Sequence, residues 1–269
     1  PAQAQLDLSM PLLKAVTSAE DCTSADGTDC RNYGVGFGLP EAKKLMAAML
    51  DDEPDNVIVM GNSSLNAMHD ALMRCWTFGT LGSTPWGKLD AVKWICPSPG
   101  YDRHFAMTEE LGIEMIPVPM TDEGPDMDEV ERIAASDASV KGIWCVPLYS
   151  NPDGYIYSAE TVRRLASMKT GAPDFKIIWD DAYCVHHLTD ELCSVPGILA
   201  ECKKYGTQDR PLLVCSTSKV TFPGAGVAAL AASEANIRHI LAQMAPMAIS
   251  FDKMNQMRHV SFLKNKAGV

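Results

Sequence analysis

Long apolar runs are missing from this sequence. The longest are strand-length, well short of the twenty or so residues needed to span a bilayer. CxxC pairs are also missing, although the chain has nine cysteines, which argues against a zinc ribbon and a thioredoxin-type redox site. Basic residues are in deficit. Lys plus Arg number 23 against 34 Asp plus Glu, a formal charge of −11, so the chain is a poor general binder of nucleic acid or anionic membrane. Pro1 to Leu8 has neither the basic start nor the apolar run of a signal peptide. The expectation is a soluble, cytoplasmic protein. Gly34-Val35-Gly36-Phe37-Gly38 is not a GxGxxG motif and no strand-like run precedes it, and neither a P-loop nor a GxSxG elbow occurs. His186 and His187 are adjacent, so their side chains diverge and do not suggest a metal site.

What is present is material for a core. Hydrophobic residues make up 46% of the 269 and charged residues 21%, the balance of a chain that can bury a sizeable core and is not disordered, with length for one large or two modest domains. Strand-like runs fall at Val57–Met60, Ala91–Cys96, Glu114–Val118, Gly142–Pro147, Lys176–Asp180, Pro211–Cys215 and Val227–Ala232. Amphipathic helical stretches fall at Pro40–Leu50, Ser64–Phe78, Asp102–Leu111, Met127–Ala135, Ala159–Met168, Pro196–Tyr205 and Ala235–Met247. The strand runs are apolar almost throughout, the pattern of a sheet covered on both faces. Alternation with helices predicts an α/β fold: a mostly parallel, seven-stranded sheet with helices on both faces. Cys96, Cys145 and Cys215 lie inside strand runs and read as reduced, buried hydrophobes. The first thirty residues carry little periodicity and read as an irregular arm.

Open α/β sheets gather ligands beyond the carboxyl ends of their strands, so the residues there bear the functional reading. Ser216-Thr217-Ser218-Lys219 follows an apolar run, and a lysine so placed can be desolvated and freed as a nucleophilic amine. A solvated lysine on a turn fits the same residues. Asp180 ends another run, and a carboxylate there needs a cationic or donor partner. A pyridinium nitrogen is one such partner, a helix cap or structural ion pair another. Tyr149-Ser150-Asn151-Pro152-Asp153-Gly154 reads as a turn that projects Asn151. Gly61-Asn62-Ser63-Ser64 precedes a helix, where amide and hydroxyl groups hold a phosphate or simply cap the helix. Tyr101 follows a Pro-Ser-Pro-Gly turn and either stacks on a flat ring or belongs to the core.

Taken in order, a phosphate loop, an aromatic, Asn-Pro-x-Gly, Asp-x-Ala-Tyr and Ser-x-Ser-Lys resemble the fold-type I pyridoxal-phosphate enzymes. Within these the chain resembles the class I/II aminotransferases, and most closely the divergent type Ic aspartate aminotransferase subgroup. Asp29–Gly34, Pro97–His104, Gly142–Gly154, Trp179–Leu188, Ser216–Gly226 and Asp252–Leu263 carry the resemblance. It implies that Lys219 is the Schiff-base lysine and proton shuttle and that Asp180 pairs with the pyridine nitrogen. Tyr183 and Asn151 would bond the cofactor's phenolic oxygen, and Tyr101 would stack on its ring. Asn62, Ser63, Ser64, Ser216 and Ser218 would hold the phosphate of pyridoxal 5'-phosphate, with Tyr33 reaching across from the second subunit of a homodimer.

The implied division is an arm over residues 1–30, a cofactor-binding large domain over 31–250, and over 251–269 the start of a linker toward a small C-terminal domain that the sequence does not contain. Lys253 and Arg258 are the basic residues of that last segment that follow the family pattern, with Lys253 near the substrate carboxylate of the partner subunit; a solvated helix face fits the same residues. The family often places a phosphate-gripping arginine eight residues past the lysine, where this chain has Val227. The implied activity is transfer of an amino group between aspartate, or a similar amino acid, and 2-oxoglutarate. A β-lyase or decarboxylase on the same cofactor and a non-catalytic cofactor-binding module are the alternatives.

Overall fold

The computed structural model describes residues 2–187, 189–190 and 192–269. Pro1, which opens the expected arm, and Leu188, which ends the segment Trp179–Leu188, lie outside the described residues. In chain order the elements are α1 (Gln3–Leu8), α2 (Pro40–Leu50), β1 (Val57–Val59), α3 (Ser64–Phe78), β2 (Lys93–Ser98), α4 (Asp102–Glu110), β3 (Glu114–Thr121), β4 (Gly124–Pro125), α5 (Met127–Ser136) and β5 (Val140–Cys145). They continue with α6 (Ala159–Ser167), β6 (Lys176–Asp180), α7 (Ile198–Tyr205), β7 (Pro211–Ser216), β8 (Ala228–Ala232), α8 (Glu234–Met244) and α9 (Lys253–Leu263). Two compact units divide the chain, one made of Pro1–Ala67 with Val214–Val269 and the other of Met68–Leu213.

In the unit Met68–Leu213 the strands run in the order β6-β5-β2-β3-β4. β2 pairs in parallel with β3 and with β5, and β5 in parallel with β6, with Ile143 opposite Ile177. Every residue of β5 and β6 is buried, so both faces are covered, as their continuous apolar runs require. Asp126 caps α5 by accepting from the Asp128 and Glu129 amides, and Ser158 caps α6 by accepting from Thr161. These side chains satisfy amides that the first helical turn leaves without partners. Parallel pairing places the carboxyl ends of β2, β5 and β6 along one edge, and with them the segments that carry Tyr101, Asn151, Asp180 and Tyr183.

In the unit Pro1–Ala67 with Val214–Val269, β1 and β8 pair antiparallel, with Ile58 opposite Leu230. α2 packs on both strands. Pro40 starts it with a preset φ and no amide to satisfy. Leu45, Met46, Met49 and Leu50 supply its buried face. The expected irregular arm contains α1 and two single 3-10 turns, Met10–Lys14 and Glu20–Cys22, which bury Leu12 and Cys22. Residues 251–269, expected as the start of a linker, contain α9, packed on α2 and on the Met10–Lys14 turn. Its buried positions include Lys253, Gln256 and His259, so polar residues occupy its inner face and apolar periodicity is weak there.

Among the described residues eight strands are present, against the seven expected. The additional one, β4, is two residues long and pairs antiparallel with the end of β3, too short for a period-2 pattern to register. Among the described residues no cysteine is in a disulfide.

Trp86, Trp94 and Trp144 form a chain of tilted ring contacts, with centroids 5.7 and 5.5 Å apart. Gly142 makes this packing feasible. A Cβ there would lie 2.3 Å from Cη2 of Trp94 and 2.6 Å from the Lys176 carbonyl oxygen of the adjacent strand. Neither the buried indole nor a paired backbone can yield cheaply. Gly142→Ala should therefore cost about 1–3 kcal/mol, the usual range for overpacking, read as a lowered urea midpoint. An unchanged midpoint would show that the sheet can yield at this point.

Candidate active site

Asp180, the last residue of β6, is 3% exposed. Its Oδ2 lies 3.0 Å from Nε2 of His104. A carboxylate only accepts, so Nε2 carries the hydrogen. His104, itself buried, stacks on Trp144 at a centroid distance of 4.4 Å and an interplanar angle of 7°. The indole N–H of Trp144 donates to Oγ1 of Thr108 at 2.9 Å, and that hydroxyl donates to the His104 carbonyl at 2.8 Å. The imidazole is thus held in plane and in register. Oδ1 of Asp180 is buried with no hydrogen-bond partner among the described residues. An unpaired buried carboxylate oxygen is costly, so it marks a place for a donor from outside this unit's own side chains.

Tyr101 meets His104 edge-on, with centroids 5.2 Å apart. Burial raises the Tyr101 phenol above its ordinary value, and the negative charges of Asp102 and Asp180 add to the effect. Burial likewise raises Tyr183, with Asp180 and then Tyr101 contributing. Both phenols are therefore protonated at neutral pH and able to donate. Asn151 is half-buried, in a turn closed by the Ser150 amide donating to Tyr155 O at 2.9 Å. Its bond to Pro152 is cis. Tyr101, Asp180 and Tyr183 are thus coupled electrostatically within this unit.

The other unit gathers Asn62, Ser216 and Ser218. Ser216 ends β7 and its Oγ donates to Oγ of Ser218 at 3.1 Å; that hydroxyl donates to the Asn62 carbonyl at 3.1 Å. Gly226 closes on the same group: a Cβ there would lie 2.6 Å from the Asn62 carbonyl oxygen and 3.1 Å from Oγ of Ser218. Ser63 precedes α3, and its Oγ accepts from the Asn66 amide at 3.4 Å, capping the helix. Ser64 is buried as the first residue of α3 and Lys219 is exposed. Tyr33 is 80% exposed, and its amide donates to Oδ1 of Asn32 at 2.8 Å. Lys253, expected near a substrate carboxylate, is 2% exposed and donates from Nζ to the Gly34 carbonyl at 2.7 Å. It is committed within its own unit.

Sequence reasoning passed over His104, Trp144 and Gly226 as site residues. A signal existed for His104, which shares the apolar side of α4 with Met107 and Thr108; a histidine among buried positions implies a buried partner. Trp144 reads as core until the stacked ring is seen.

Parallel strands that deliver a buried carboxylate and two protonated phenols to their carboxyl ends define an α/β protein with a polar site at one edge of its sheet. The family model described as aspartate amino-transferase matches residues 1–269, and the chain belongs to that family. It is 46% identical over 271 residues to a protein of Mycolicibacterium smegmatis provisionally named an aminotransferase, covering 100% of this chain and 63% of the relative. It is 42% identical to an aspartate aminotransferase of Corynebacterium glutamicum, covering 100% and 62%. The solved structure of an aspartate transaminase from Corynebacterium glutamicum matches with a TM-score of 0.96 at 41% identity, over 100% of this chain and 63% of that one. The chain thus spans a little under two thirds of the length of these relatives. Among the described residues no helix is long and apolar enough to cross a membrane.

His259 supports the turn after Lys219. Its Nδ1 lies 2.8 Å from the Asn255 carbonyl, so Nδ1 donates, and Nε2 accepts from the Thr221 hydroxyl at 2.8 Å. Burial lowers the imidazole below its ordinary 6.5, against weaker upward pulls from the Asn255 carbonyl and Asp252. The unfolded chain takes the proton first, so stability from neutral His259 is full above about pH 6.5 and is lost as pH falls through the folded value. Urea midpoints at about pH 7.5 and about pH 5.5 should therefore differ more in the parent than in His259→Gln. Equal differences would mean that His259 does not contribute to the acid loss.

Proposed function

We propose that this chain is the cofactor-binding core of a pyridoxal-phosphate-dependent aminotransferase that moves an amino group between aspartate, or a similar amino acid, and 2-oxoglutarate. The observation that carries the reading is the Asp180 carboxylate, with one oxygen fixed by His104 and the other buried without a partner. A protonated pyridine nitrogen is a donor of the kind that oxygen lacks. Gly226 lets its turn close on Asn62 and Ser218, where a Cβ would clash with the Asn62 carbonyl, and a cradle of amides and hydroxyls of this kind suits the same cofactor's phosphate.

Pyridoxal phosphate, when bound, supplies an electron sink for the pair left at the substrate's α-carbon. The protein's own residues do the rest. Asp180 holds a proton on the ring nitrogen. His104, clamped by Trp144, keeps the carboxylate in position and takes up its second oxygen. Tyr183 and Asn151 donate to the ring oxygen, and Tyr101 covers the ring face. Asn62, Ser63, Ser64, Ser216 and Ser218 hold the phosphate. Lys219 would be the residue that holds the cofactor through its aldehyde carbon, and its Nζ would carry the proton to and from the substrate's α-carbon. Tyr33, 80% exposed on its own chain, reaches the second subunit of a homodimer, and the enzyme works in the cytoplasm.

Borohydride reduction of the protein with pyridoxal phosphate, followed by peptide mapping, should place the pyridoxyl group on Lys219. Aspartate with 2-oxoglutarate should give a keto acid and glutamate. A label on Lys203 or Lys204 would overturn the assignment of the lysine. Release of carbon dioxide without glutamate would overturn the reaction.

A further inference from the structure

The family's usual phosphate arginine has no counterpart at Val227. That side chain is 3% exposed, and its backbone is paired with Thr217: the Thr217 amide donates to the Val227 carbonyl at 2.9 Å, and the Val227 amide to Oγ1 of Thr217 at 2.9 Å. The preceding position cannot supply a cation, because Gly226 has no room for a Cβ. A cavity of about 470 Å³ nevertheless opens within this unit, lined by Asn62, Gly226, Asn255 and Arg258 among others.

Arg258 differs from the other polar residues of α9 that face inward. Lys253 donates to Gly34, Gln256 accepts from the Leu39 amide at 2.9 Å, and His259 joins Thr221. Asn255 donates from Nδ2 to the carbonyls of Ala225 and Gly226 at 2.9 and 3.0 Å, which fixes α9 against the turn that holds the Gly226 cradle. Nε of Arg258 is buried and has no hydrogen-bond partner among the described residues. Asp252 also lines the cavity, but it is exposed and its Oδ1 accepts from the Asn255 amide at 2.9 Å as the cap of α9. A guanidinium with a buried, unpaired N–H beside a serine-and-glycine cradle lacks an anion of the size and geometry of a phosphate monoester.

We infer that Arg258 is the phosphate-gripping arginine of this chain, supplied from α9 in place of the residue missing at Val227, and that the cavity it lines takes the phosphate group of the cofactor. The inference rests on the pyridoxal-phosphate reading and adds a residue to it.

The test compares pyridoxal 5'-phosphate with pyridoxal, which lacks only the phosphate, by visible absorbance titration of the parent chain, Arg258→Met and Arg258→Lys. Arg258→Met should weaken pyridoxal 5'-phosphate by roughly ten- to a hundredfold, the loss of one charge-assisted contact, and leave pyridoxal affinity unchanged. Unchanged pyridoxal affinity also shows that the variant is folded. Arg258→Lys should recover part of the loss. Inorganic phosphate should compete with pyridoxal 5'-phosphate for the parent and compete less well for Arg258→Met. If the parent prefers pyridoxal 5'-phosphate and Arg258→Met keeps the full preference, Arg258 does not bind the phosphate and only this inference falls. If the parent shows no preference for pyridoxal 5'-phosphate over pyridoxal, the cofactor reading falls with it.

Discussion

The burial of Asp180 is the constraint on which the rest of the site depends. A carboxylate that is 3% exposed at the end of a sheet strand loses its hydration, and removing the partner of a buried charge typically costs about 3–5 kcal/mol. The structure meets half of that demand itself, through Nε2 of His104, and commits a stacked tryptophan and a threonine hydroxyl to keep the imidazole in place. The other half it leaves open at Oδ1. A fold built only for stability would put a leucine at this position, since replacing buried charges with apolar groups is often neutral or favourable. An acid with one oxygen clamped and the other unpaired is instead pre-organised for an incoming cation. The electrostatic work of orienting it is done during folding, before any ligand binds.

The sheet makes this placement unavoidable. β5 and β6 are paired in parallel and fully buried, so their polar groups can emerge only at the ends. The chain leaves β6 at Asp180 and turns at once through Tyr183, whose protonated phenol is a consequence of the same burial and the same carboxylate. In the other unit β7 ends at Ser216, and the following turn folds back so that Ser218 reaches the Asn62 carbonyl. One rule of sheet topology thus accounts for both clusters.

Much of this was legible in the residues. Pro40–Leu50, Ser64–Phe78 and Lys176–Asp180 are observed with the predicted bounds, because each is a strong apolar period flanked by a clear start or stop. β4 was not legible, being a two-residue pairing set by a turn rather than by a pattern. α9 was not legible as a packed helix, because its inner face is polar: Lys253, Gln256 and His259 are buried through specific hydrogen bonds to Gly34, Leu39 and Thr221. Apolar periodicity registers only what is buried for want of water. It does not register side chains buried because a partner far along the chain awaits them. The same reason hid His104, whose partner lies 76 residues away, while Asp180, Lys219 and the serines were visible from their places just past apolar runs.

The central claim is that Asp180 is held to keep a proton on a heterocyclic nitrogen. Its most direct test is the nitrogen-15 chemical shift of ring-labelled pyridoxal phosphate bound to this chain, measured for the parent and for Asp180→Ala. The account predicts a pyridinium shift in the parent that persists across neutral pH, and a shift of the unprotonated ring in Asp180→Ala. An unprotonated ring in the parent, or the same protonated ring in both, would contradict it.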